Sequence, residues 1–369
     1  MKILIVVGAR PNFMKAGPLV QALAGSRHPA RLLHTGQHYD DNMSRVFFQD
    51  LGLPTPDACL DAGSGTHAEQ TAAVMVGFEQ HLSEQQLSGQ RPDLVVVVGD
   101  VNSTLAVAVV CAKAGIPLAH VEAGLRSGDW SMPEEINRVV TDRLSDLLFT
   151  HCADADENLR QEGVPEDKIH RVGNIMIDSL IQNMQRAEQS QVLSDLGLAK
   201  QGYALLTLHR PSNVDDEPTL LAVMEAVHEL AESIPVVFSC HPRTGGRLDA
   251  SGGYGALADR GDLRRLSPLG YLDFLRLLSE SRLVLTDSGG LQEETTYLNI
   301  PCLTIRPNTE RPITITEGTN VLVGPDPERI LQEGRKVLAG KTRPGKVPDL
   351  WDGNTAERIV QVLDSFEGS

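Results

Sequence analysis

Short apolar runs alternate with longer amphipathic segments along the whole chain. The runs are rich in β-branched residues and predict strands at 2–7, 30–35, 94–98, 118–122, 147–150, 203–207, 236–239, 263–266, 283–286 and 302–305. The segments between them predict helices, among them 13–24, 71–82, 104–113, 220–230, 291–298 and 355–366. Continuous apolar strands separated by helices are typical of parallel sheets covered on both faces.

The alternation is interrupted around residues 175–201 by a polar stretch with a helical pattern, after which the strand series begins again. A chain of 369 residues is long enough for two domains that each bury a core. We therefore predict an α/β protein of two doubly wound Rossmann-like domains, residues 1–172 and 173–354, with a hinge near Gly173. The segment 355–369 is expected to pack back on the first domain. Open sheets bind ligands at the carboxyl ends of their strands, so two such sheets predict an active-site cleft between the domains.

The composition narrows the class of partner. The 49 acidic residues exceed the 33 basic ones and give a formal net charge of −16, which argues against nucleic acid or an anionic membrane surface. No stretch approaches the roughly 18–20 apolar residues of a membrane span, and the run at 3–7 fits a buried first strand better than a signal peptide. The five cysteines are scattered without a CxxC pair, so reduced thiols are expected. A cytoplasmic protein with a small ligand fits this pattern.

The first strand is followed by GARPNFMK, residues 8–15. Arg10 and Lys15 could clamp an anion beside the start of the next helix. There is no GxGxxG, so the fingerprint of a dinucleotide site is absent. Taken alone, the motif is better explained as an ordinary turn with two surface cations.

Carboxylates follow the next strands of the first domain. LVVVVGD ends at Asp100, LAHVEAGLRS contains His120, Glu122 and Arg126, and MPEEINR contains Glu134 and Glu135. Crowded carboxylates raise one another's pKa, so one can serve as an acid while its neighbour serves as a base. Helix capping is the alternative explanation, and we prefer it for Glu135. Capping explains Asp100 and Glu122 less well, because both lie at the ends of buried strands.

The second domain repeats this arrangement with other residue types. His209 with Arg210 and His241 with Arg243 lie at equivalent strand ends, which favours a function over two isolated structural histidines; no HxH or HExxH spacing indicates a metal site. In LVLTDSGGLQEE a strand runs into small residues and then a helix, which suits a diphosphate, although a tight packing turn is the alternative. The residues of interest there are Ser288, Gly289, Gly290 and Glu294, and RPNTERP adds Arg306, Glu310 and Arg311.

Taken in order, these motifs resemble the UDP-N-acetylglucosamine 2-epimerase family, whose members have the two-Rossmann architecture of GT-B glycosyltransferases. The match runs over nearly the whole chain through GARPNFMK, TGQHYD, VVGDVNSTL, HVEAGLRS, MPEEINR, LHRPSN, TDSGGLQEE and NTERP. Each motif is weak alone, but the ordered set is highly specific. The resemblance implies a non-hydrolysing epimerase that needs no cofactor or metal, acts on a UDP-sugar and forms a homodimer.

The resemblance also implies roles for individual residues. Acid/base roles fall on Asp100, Glu122, Glu134 and His209. Nucleotide and phosphate contacts fall on Arg10, Lys15, His209, Ser288, Gly289, Gly290 and Glu294. The segment from Gly270 to Phe274 is expected near the uracil, and Arg306 near the sugar or the phosphates.

Three stretches depart from the family pattern. GARPN replaces the more frequent GTRPE, and Arg306-Pro307-Asn308 stands where RDT usually precedes TERP. Tyr39 and Asp40 follow TGQH where many bacterial members carry Arg, next to a regulatory substrate site of some members, which weakens the case for allosteric activation. GARP, TGQHYD and HPRT also resemble relatives that epimerise UDP-diacetamido uronic acids. A hydrolysing 2-epimerase, a GT-B glycosyltransferase and a non-catalytic sugar-nucleotide sensor stay open as alternatives.

The implied reaction inverts carbon 2 of the sugar, whose proton is not acidified by an adjacent carbonyl. Since the sequence has no nicotinamide fingerprint, the route that the resemblance implies is elimination of UDP to a 2-acetamidoglucal, followed by re-addition. That route needs two acid/base groups at one carbon and a firm hold on the diphosphate. The carboxylate motifs and the SGG turn are candidates for these two tasks.

Overall fold

The computed structural model describes residues 1–36, 53–252, 254 and 261–366. It divides into two compact units, Met1–Gln182 with Asp349–Ser369, and Asn183–Pro348. The sequence prediction placed the division at Gly173, whereas the structure has Gly173 within the first unit. There its φ is +98°, and a Cβ at this position would lie 2.1 Å from the Leu350 carbonyl oxygen. Gly173 is therefore a close packing point of the first unit, and only glycine fits there.

The first unit is built on a seven-stranded parallel sheet of order β3-β2-β1-β4-β5-β6-β7. Its strands are β1 (Ile3–Val7), β2 (Ala30–His34), β3 (Ala58–Cys59), β4 (Leu94–Val98), β5 (Leu118–Ala123), β6 (Leu147–Thr150) and β7 (Ile169–Arg171). Its helices are α1 (Arg10–Ala24), α2 (His67–Leu87), α3 (Asn102–Ala114), α4 (Pro133–Leu144) and α5 (Ala153–Gln161), followed by α6 (Ile175–Ala187), which runs across the division between the units.

The core of this unit follows from the apolar strands. All five residues of β4 are buried, and Val95 and Val97 pack with Val107 of α3 and Phe78 of α2. The last helix, α15 (Thr355–Ser365), belongs to the same unit and packs against α1. Its Asp364 carboxylate accepts hydrogen bonds from the side chains just after α1, at 2.7 Å from Arg27 Nε and 3.0 Å from His28 Nε2. The C-terminal helix is thus part of the first unit.

The second unit contains a six-stranded parallel sheet of order β10-β9-β8-β11-β12-β13. Its strands are β8 (Ala204–Thr207), β9 (Val236–Ser239), β10 (Leu263–Leu266), β11 (Leu283–Thr286), β12 (Cys302–Thr304) and β13 (Asn320–Leu322). Its helices are α7 (Val192–Asp195), α8 (Pro211–Val214), α9 (Glu217–Ala231), α10 (Pro242–Ala250), α11 (Tyr271–Ser279), α12 (Gly289–Leu298), α13 (Ile313–Thr316) and α14 (Pro327–Leu338). Leu230 of α9 and Ile330 of α14 are buried in one apolar cluster with Leu206 of β8.

Both sheets have the doubly wound order, so the predicted fold class of two parallel α/β domains is confirmed. Each strand of the sequence prediction is present, and β3, β7 and β13 are additional. The additional strands have two or three residues and lie at the edges of the sheets, so their apolar runs are too short to stand out. In the described part of the chain, no helix combines the length and the apolar character that crossing a bilayer requires.

Candidate active site

The first group of candidate residues lies where strand order reverses in the first sheet. Strands β1 and β4 are neighbours, and the chain departs from them in opposite directions along the sheet. Ligand sites of doubly wound sheets form at this crevice, outside the carboxyl ends of the strands. Lys15 of α1 follows β1, Asp100 follows β4, and Glu122 lies in the last part of β5. The fold therefore brings three of the predicted residues to one edge.

Glu122 and Lys15 form a buried ion pair at this edge. The Lys15 Nζ donates to Glu122 Oε2, and the two residues are 7% and 9% exposed. A Cβ on Gly99 would lie 3.1 Å from that Nζ and 3.3 Å from that Oε2, so the turn before Asp100 closes over the pair. Nearby, Asn12 Nδ2 donates to the Val98 carbonyl at 2.8 Å, which ties α1 to the end of β4.

The backbone of Glu122 is unusual. Its φ is +77°, in the left-handed region of backbone conformation. Residues other than Gly, Asn and Asp seldom adopt this conformation. The pairing register between β5 and β6 shifts between Val121 and Ala123, so the strand carries a bulge at Glu122. Holding a residue in this conformation costs about 1–3 kcal/mol of folding free energy, and residues with such strained backbones cluster at functional sites. The bulge turns the Glu122 side chain out of the regular strand alternation.

Asp100 is held by the helix that follows β5. The Arg138 Nη2 of α4 donates to Asp100 Oδ2, and Asn137 Nδ2 donates to the Asp100 carbonyl at 2.9 Å. Arg138 is 1% exposed, while the Asp100 side chain is 27% exposed. The sequence predicted carboxylates that raise one another's pKa. The structure instead gives Asp100 and Glu122 a basic partner each.

Glu134 and Glu135 occupy the first turn of α4 and differ in environment. Glu135 is buried and accepts hydrogen bonds from the N–H groups of Ser127 and Gly128, at 3.0–3.1 Å and 2.9 Å, and from Arg138. Burial opposes ionisation, but the Ser127 and Gly128 amides and the Arg138 charge outweigh it and lower the pKa of Glu135 below its usual value. Glu135 lies in the first turn of α4, as the sequence predicts, and its carboxylate also holds the loop that precedes the helix. Glu134 is half-buried, and no hydrogen bond of its carboxylate occurs within the described residues.

In the second unit, His209 is paired with a fully buried aspartate. The strand order reverses between β8 and β11, and His209 follows β8 while Asp287 follows β11. His209 Nδ1 lies 2.9 Å from Asp287 Oδ1, and the imidazole side chain is 41% exposed. Because Nδ1 is engaged by the carboxylate, Nε2 is the nitrogen left for proton transfer.

Asp287 also fixes the backbone around His209. Its carboxylate accepts hydrogen bonds from the N–H of His209 at 3.0–3.1 Å, the N–H of Arg210 at 2.9 Å and Asn213 Nδ2 at 3.1 Å. Burial by itself would raise the pKa of Asp287. The His209 side chain and the His209 and Arg210 amides outweigh burial and lower that pKa. The carboxylate is therefore a stable anion that orients the imidazole.

The SGG motif begins α12, as the sequence predicts. Ser288 is the N-terminal cap position, and Gly289 and Gly290 start the helix. A Cβ on Gly289 would lie 2.6 Å from Arg311 Nη1 and 2.9 Å from Glu310 Oε1, so the helix start packs directly on an ion pair. The free N–H groups of such a helix start, together with its dipole, favour a bound anion.

Glu294 lies inside α12 and is 4% exposed. Burial, reinforced by the negative charge of Glu293, raises the pKa of Glu294 to about 8. Its Oε1 has no hydrogen-bond partner among the described residues. A buried acceptor without a donor is costly unless a ligand supplies one. A ribose hydroxyl would supply a donor of that kind.

Two buried arginines, Arg306 and Arg311, and the half-buried Arg210 lie beside the start of α12. Arg306 Nη2 is 2.8 Å from Glu310 Oε2, and Arg210 Nη2 is 3.8 Å from Glu310 Oε1. Arg311 also contacts Glu310, and its Nε is 2.8 Å from Glu293 Oε1. Burial lowers the pKa of Arg306, although the Glu310 charge opposes this effect. The cluster gathers positive groups next to the helix start that is expected to hold a diphosphate.

The remaining predicted residues belong to helices α1 and α11 or to their cap positions. Gly270 is the N-terminal cap position of α11, and Phe274 lies half-buried in its second turn. Arg10 is the first residue of α1. Tyr39 and Asp40 lie outside the described residues, so the prediction about a regulatory site there is untouched.

The sequence motifs did not identify two residues of this site as functional candidates. Asp287 belongs to the TDSGG motif and directly follows a buried strand, which is the signal that could have singled it out. Arg138 lies four positions after Glu134 on a predicted helix, but nothing in the sequence indicates that it is buried beside Asp100.

The chain has the GT-B-like class of fold. It superposes on the crystal structure of the Methanocaldococcus jannaschii UDP-GlcNAc 2-epimerase in complex with UDP-GlcNAc and UDP with a TM-score of 0.91 and 42% identity, covering 99% of this chain and 100% of the other. The Neisseria meningitidis UDP-GlcNAc 2-epimerase bound to UDP-GlcNAc is 26% identical, with a TM-score of 0.88 over 99% of this chain and 100% of the other.

The sequence comparisons identify the family. The family model described as UDP-N-acetylglucosamine 2-epimerase matches residues 21–364. The Pseudomonas aeruginosa UDP-2,3-diacetamido-2,3-dideoxy-D-glucuronate 2-epimerase is 41% identical over 98% of this chain and 99% of its own length. This chain belongs to the UDP-N-acetylglucosamine 2-epimerase family, and the resemblance inferred from the motifs is confirmed.

Proposed function

We propose that this protein interconverts UDP-N-acetylglucosamine and UDP-N-acetylmannosamine by inverting carbon 2, without hydrolysing the bond to UDP. One observation supports this proposal most directly: the buried Lys15–Glu122 pair at a strained strand end, with the Asp100 turn closed over it. Family membership supports the same reaction. A non-catalytic sensor would have no use for a carboxylate held at this conformational cost.

The proposed reaction divides between the two groups of residues. A carboxylate of the first unit takes the proton from carbon 2 while the bond from carbon 1 to the UDP oxygen breaks, which gives a 2-acetamidoglucal and UDP. A second acid/base group then protonates carbon 2 from the opposite face as UDP adds back to carbon 1. Asp100, Glu122, Glu134 and His209 are the proposed groups, and positioned acids and bases of this kind contribute about 10²–10⁴-fold each.

The second unit is proposed to hold the nucleotide. The start of α12 at Ser288 receives the diphosphate, with Arg306 as a cationic partner within the same unit. Glu294 accepts hydrogen bonds from the ribose hydroxyls through its unpartnered Oε1. Gly270 and Phe274 contact the uracil.

A second candidate substrate has support of its own. The Pseudomonas aeruginosa UDP-2,3-diacetamido-2,3-dideoxy-D-glucuronate 2-epimerase is 41% identical to this chain, against 42% for the Methanocaldococcus jannaschii UDP-N-acetylglucosamine 2-epimerase. Because these two identities are nearly equal, sequence identity does not distinguish between the two sugars. The reaction at carbon 2 is the same for both.

The test is incubation with each UDP-sugar and product analysis by NMR. Appearance of the carbon 2 epimer still attached to UDP supports the proposal and identifies the sugar. Free N-acetylmannosamine with released UDP would point to a hydrolysing enzyme. Transfer of the sugar only when an acceptor is added would point to a glycosyltransferase. Tight UDP binding with neither substrate converted would leave a sensor as the function.

Family membership supports two further proposals. We propose that the protein is a homodimer and that it acts in the cytoplasm. Light scattering coupled to size-exclusion chromatography measures the mass in solution, and a value equal to one chain of 40.0 kDa would contradict the dimer.

A further inference from the structure

A fully buried histidine–carboxylate pair lies next to the candidate acid/base residues and has no part in the proposed reaction. His120 of β5 is 0% exposed and Asp142 of α4 is 2% exposed. The His120 Nδ1 lies 2.6 Å from Asp142 Oδ1. Buried charged groups are costly, so such a pair needs further hydrogen bonds to be tolerated. The partners that provide these bonds belong to the two turns of the candidate site.

The first contact holds the turn that precedes Asp100. His120 Nε2 donates to the Gly99 carbonyl oxygen at 2.8 Å. Gly99 has a φ of +69°, and its N–H donates to the Val121 carbonyl at 3.0 Å. Both ring nitrogens of His120 are thus engaged, one by a carboxylate and the other by a carbonyl. The ring is therefore held in one orientation and fixes where β4 ends.

The second contact holds the turn that follows Glu122. The Gly124 N–H donates to Asp142 Oδ2 at 3.0 Å, and Gly124 has a φ of +80°. Arg126 Nη1 donates to the same oxygen at 2.7 Å. Burial would raise the pKa of Asp142, but His120 and Arg126 outweigh burial and lower it, so the carboxylate stays an anion that can hold all three donors.

We propose that His120 and Asp142 are positioning residues, which fix the Asp100 turn relative to the Glu122 turn. The inference rests on the proposed function, since it assigns to these turns the acid/base side chains. The pair contacts both turns through hydrogen bonds to their backbone, and both of its residues are fully buried. A displacement of about 1 Å in such a site can cost about 10²-fold in rate. The nucleotide contacts proposed for the second unit lie outside these two turns.

The expected result is a loss of turnover without a loss of binding. Asp142→Asn and His120→Gln should each lower kcat about 10–100-fold, with KM and the Kd for UDP within about threefold of wild type. Because both residues act through one hydrogen-bonded unit, the double variant should lose no more than the worse single variant. Glu162→Gln is the matched control: Glu162 Oε1 is 2.6 Å from Arg126 Nε, on the partly exposed outer side of the same network. We expect its kcat to stay within about twofold of wild type.

A second measurement keeps the inference testable apart from activity. Amide hydrogen exchange followed by mass spectrometry should be faster in Asp142→Asn for peptides covering residues 99–100 and 122–124, and unchanged in peptides of the second unit. If Asp142→Asn does not fold, Asp142→Glu keeps the charge and displaces the oxygens by one methylene, and the same split between kcat and KM is expected.

The possible outcomes separate the two proposals. Wild-type kcat in both single variants, or losses that add in the double variant, would overturn the positioning role. A wild-type protein that converts neither UDP-sugar would overturn the proposed function instead. In that case the exchange data still decide, because unchanged exchange around residues 99–100 and 122–124 in Asp142→Asn would show that the pair does not hold the turns.

Discussion

Glu122 combines properties that oppose stability. Its backbone is left-handed at φ +77°, it interrupts the register of β5, and its carboxylate is buried. The ion pair with Lys15 offsets part of these costs. A residue that served packing alone would adopt ordinary strand geometry. The local cost is thus a physical argument for function that needs no comparison with relatives.

The first prediction concerns Asp100 and Glu122. Asp100→Asn and Glu122→Gln keep the shape of each side chain but remove the group that exchanges a proton. We expect turnover to fall by about 10²–10⁴-fold, with a modest change in UDP affinity. Steady-state kinetics and calorimetry with UDP measure the two quantities.

Asp93→Asn is the matched control, because Asp93 is exposed and lies just before the other end of β4, where it accepts from the Lys2 N–H at 2.6 Å. Its turnover should stay within about twofold of wild type. Turnover near the wild-type value in both Asp100→Asn and Glu122→Gln would reduce these residues to structural roles.

The second prediction uses the raised pKa of Glu294. Its pKa is about 8 in the folded protein and 4.5 ordinarily, so between these values the folded protein holds a proton that the unfolded chain has released. The contribution of Glu294 to the free energy of unfolding is therefore fully present below about pH 4.5 and is lost as the pH rises through about 8. Glu294→Gln cannot ionise and avoids that loss.

Thermal unfolding at about pH 5 and about pH 9 checks this sign. We expect the melting temperature of Glu294→Gln, relative to wild type, to be higher at the alkaline pH than at the acidic one. Glu357→Gln, at an exposed position of α15, controls for the loss of one carboxylate. A relative melting temperature of Glu294→Gln that is the same at both pH values would contradict the assignment.

At the scale of elements, the functional turns follow from the order of strands and helices. The apolar runs predicted which strand each motif follows. Because the strands of each sheet are parallel, their carboxyl ends lie at the same edge of that sheet. The polar residues 102–104 predict the N-terminal cap of α3, but this prediction is wrong: the cap position is Val101, and no side chain caps the helix there. The Thr104 hydroxyl donates instead to the Val98 carbonyl at 3.1 Å. A small polar side chain at a helix start can hydrogen-bond to a carbonyl at the end of the preceding strand or to an N–H of its own helix. The sequence does not show which of the two bonds forms.

The third prediction tests the start of α12. Gly289→Ala would place a Cβ 2.6 Å from Arg311 Nη1, so the ion pair or the helix must move. Overpacking of this kind costs about 1–3 kcal/mol. We expect a lower melting temperature and weaker UDP binding by calorimetry, since the N–H groups of this turn are the proposed diphosphate contacts.

Gly246→Ala is the matched control in the same unit. Gly246 is an exposed residue inside α10, and a Cβ there meets no atom within 4 Å. Alanine in a helix interior is favoured over glycine by about 0.5–1 kcal/mol, so this variant should be as stable as wild type or more stable. If Gly289→Ala binds UDP as tightly as Gly246→Ala does, the SGG turn is a packing feature and the diphosphate lies elsewhere.

At the scale of the whole molecule, the sequence predicts the fold class and the family but not the arrangement of the site. Ten apolar runs and the ordered motifs were sufficient for the two sheets and the family. The partners of the charged groups depend on long-range packing: Lys15 with Glu122, Arg138 with Asp100 and His209 with Asp287 are far apart in sequence. Periodicity reports only which face of an element is apolar, so it carries no information on such pairs.

The last prediction concerns the route of the reaction, and it belongs to the whole protein because no single residue decides it. If a 2-acetamidoglucal is formed, the proton that returns to carbon 2 comes from a side chain that exchanges with solvent. Epimerisation in heavy water should then place deuterium at carbon 2 of the product. The bond from carbon 1 to the bridging oxygen also breaks, so an oxygen isotope in that position should scramble into the non-bridging β-phosphate oxygens. Transient oxidation elsewhere on the ring would leave the bridging oxygen in place. NMR follows both labels in one sample, and substrate incubated without the protein is the control. Epimerised product with its oxygen label unscrambled would exclude elimination and re-addition while leaving the epimerase activity itself in place.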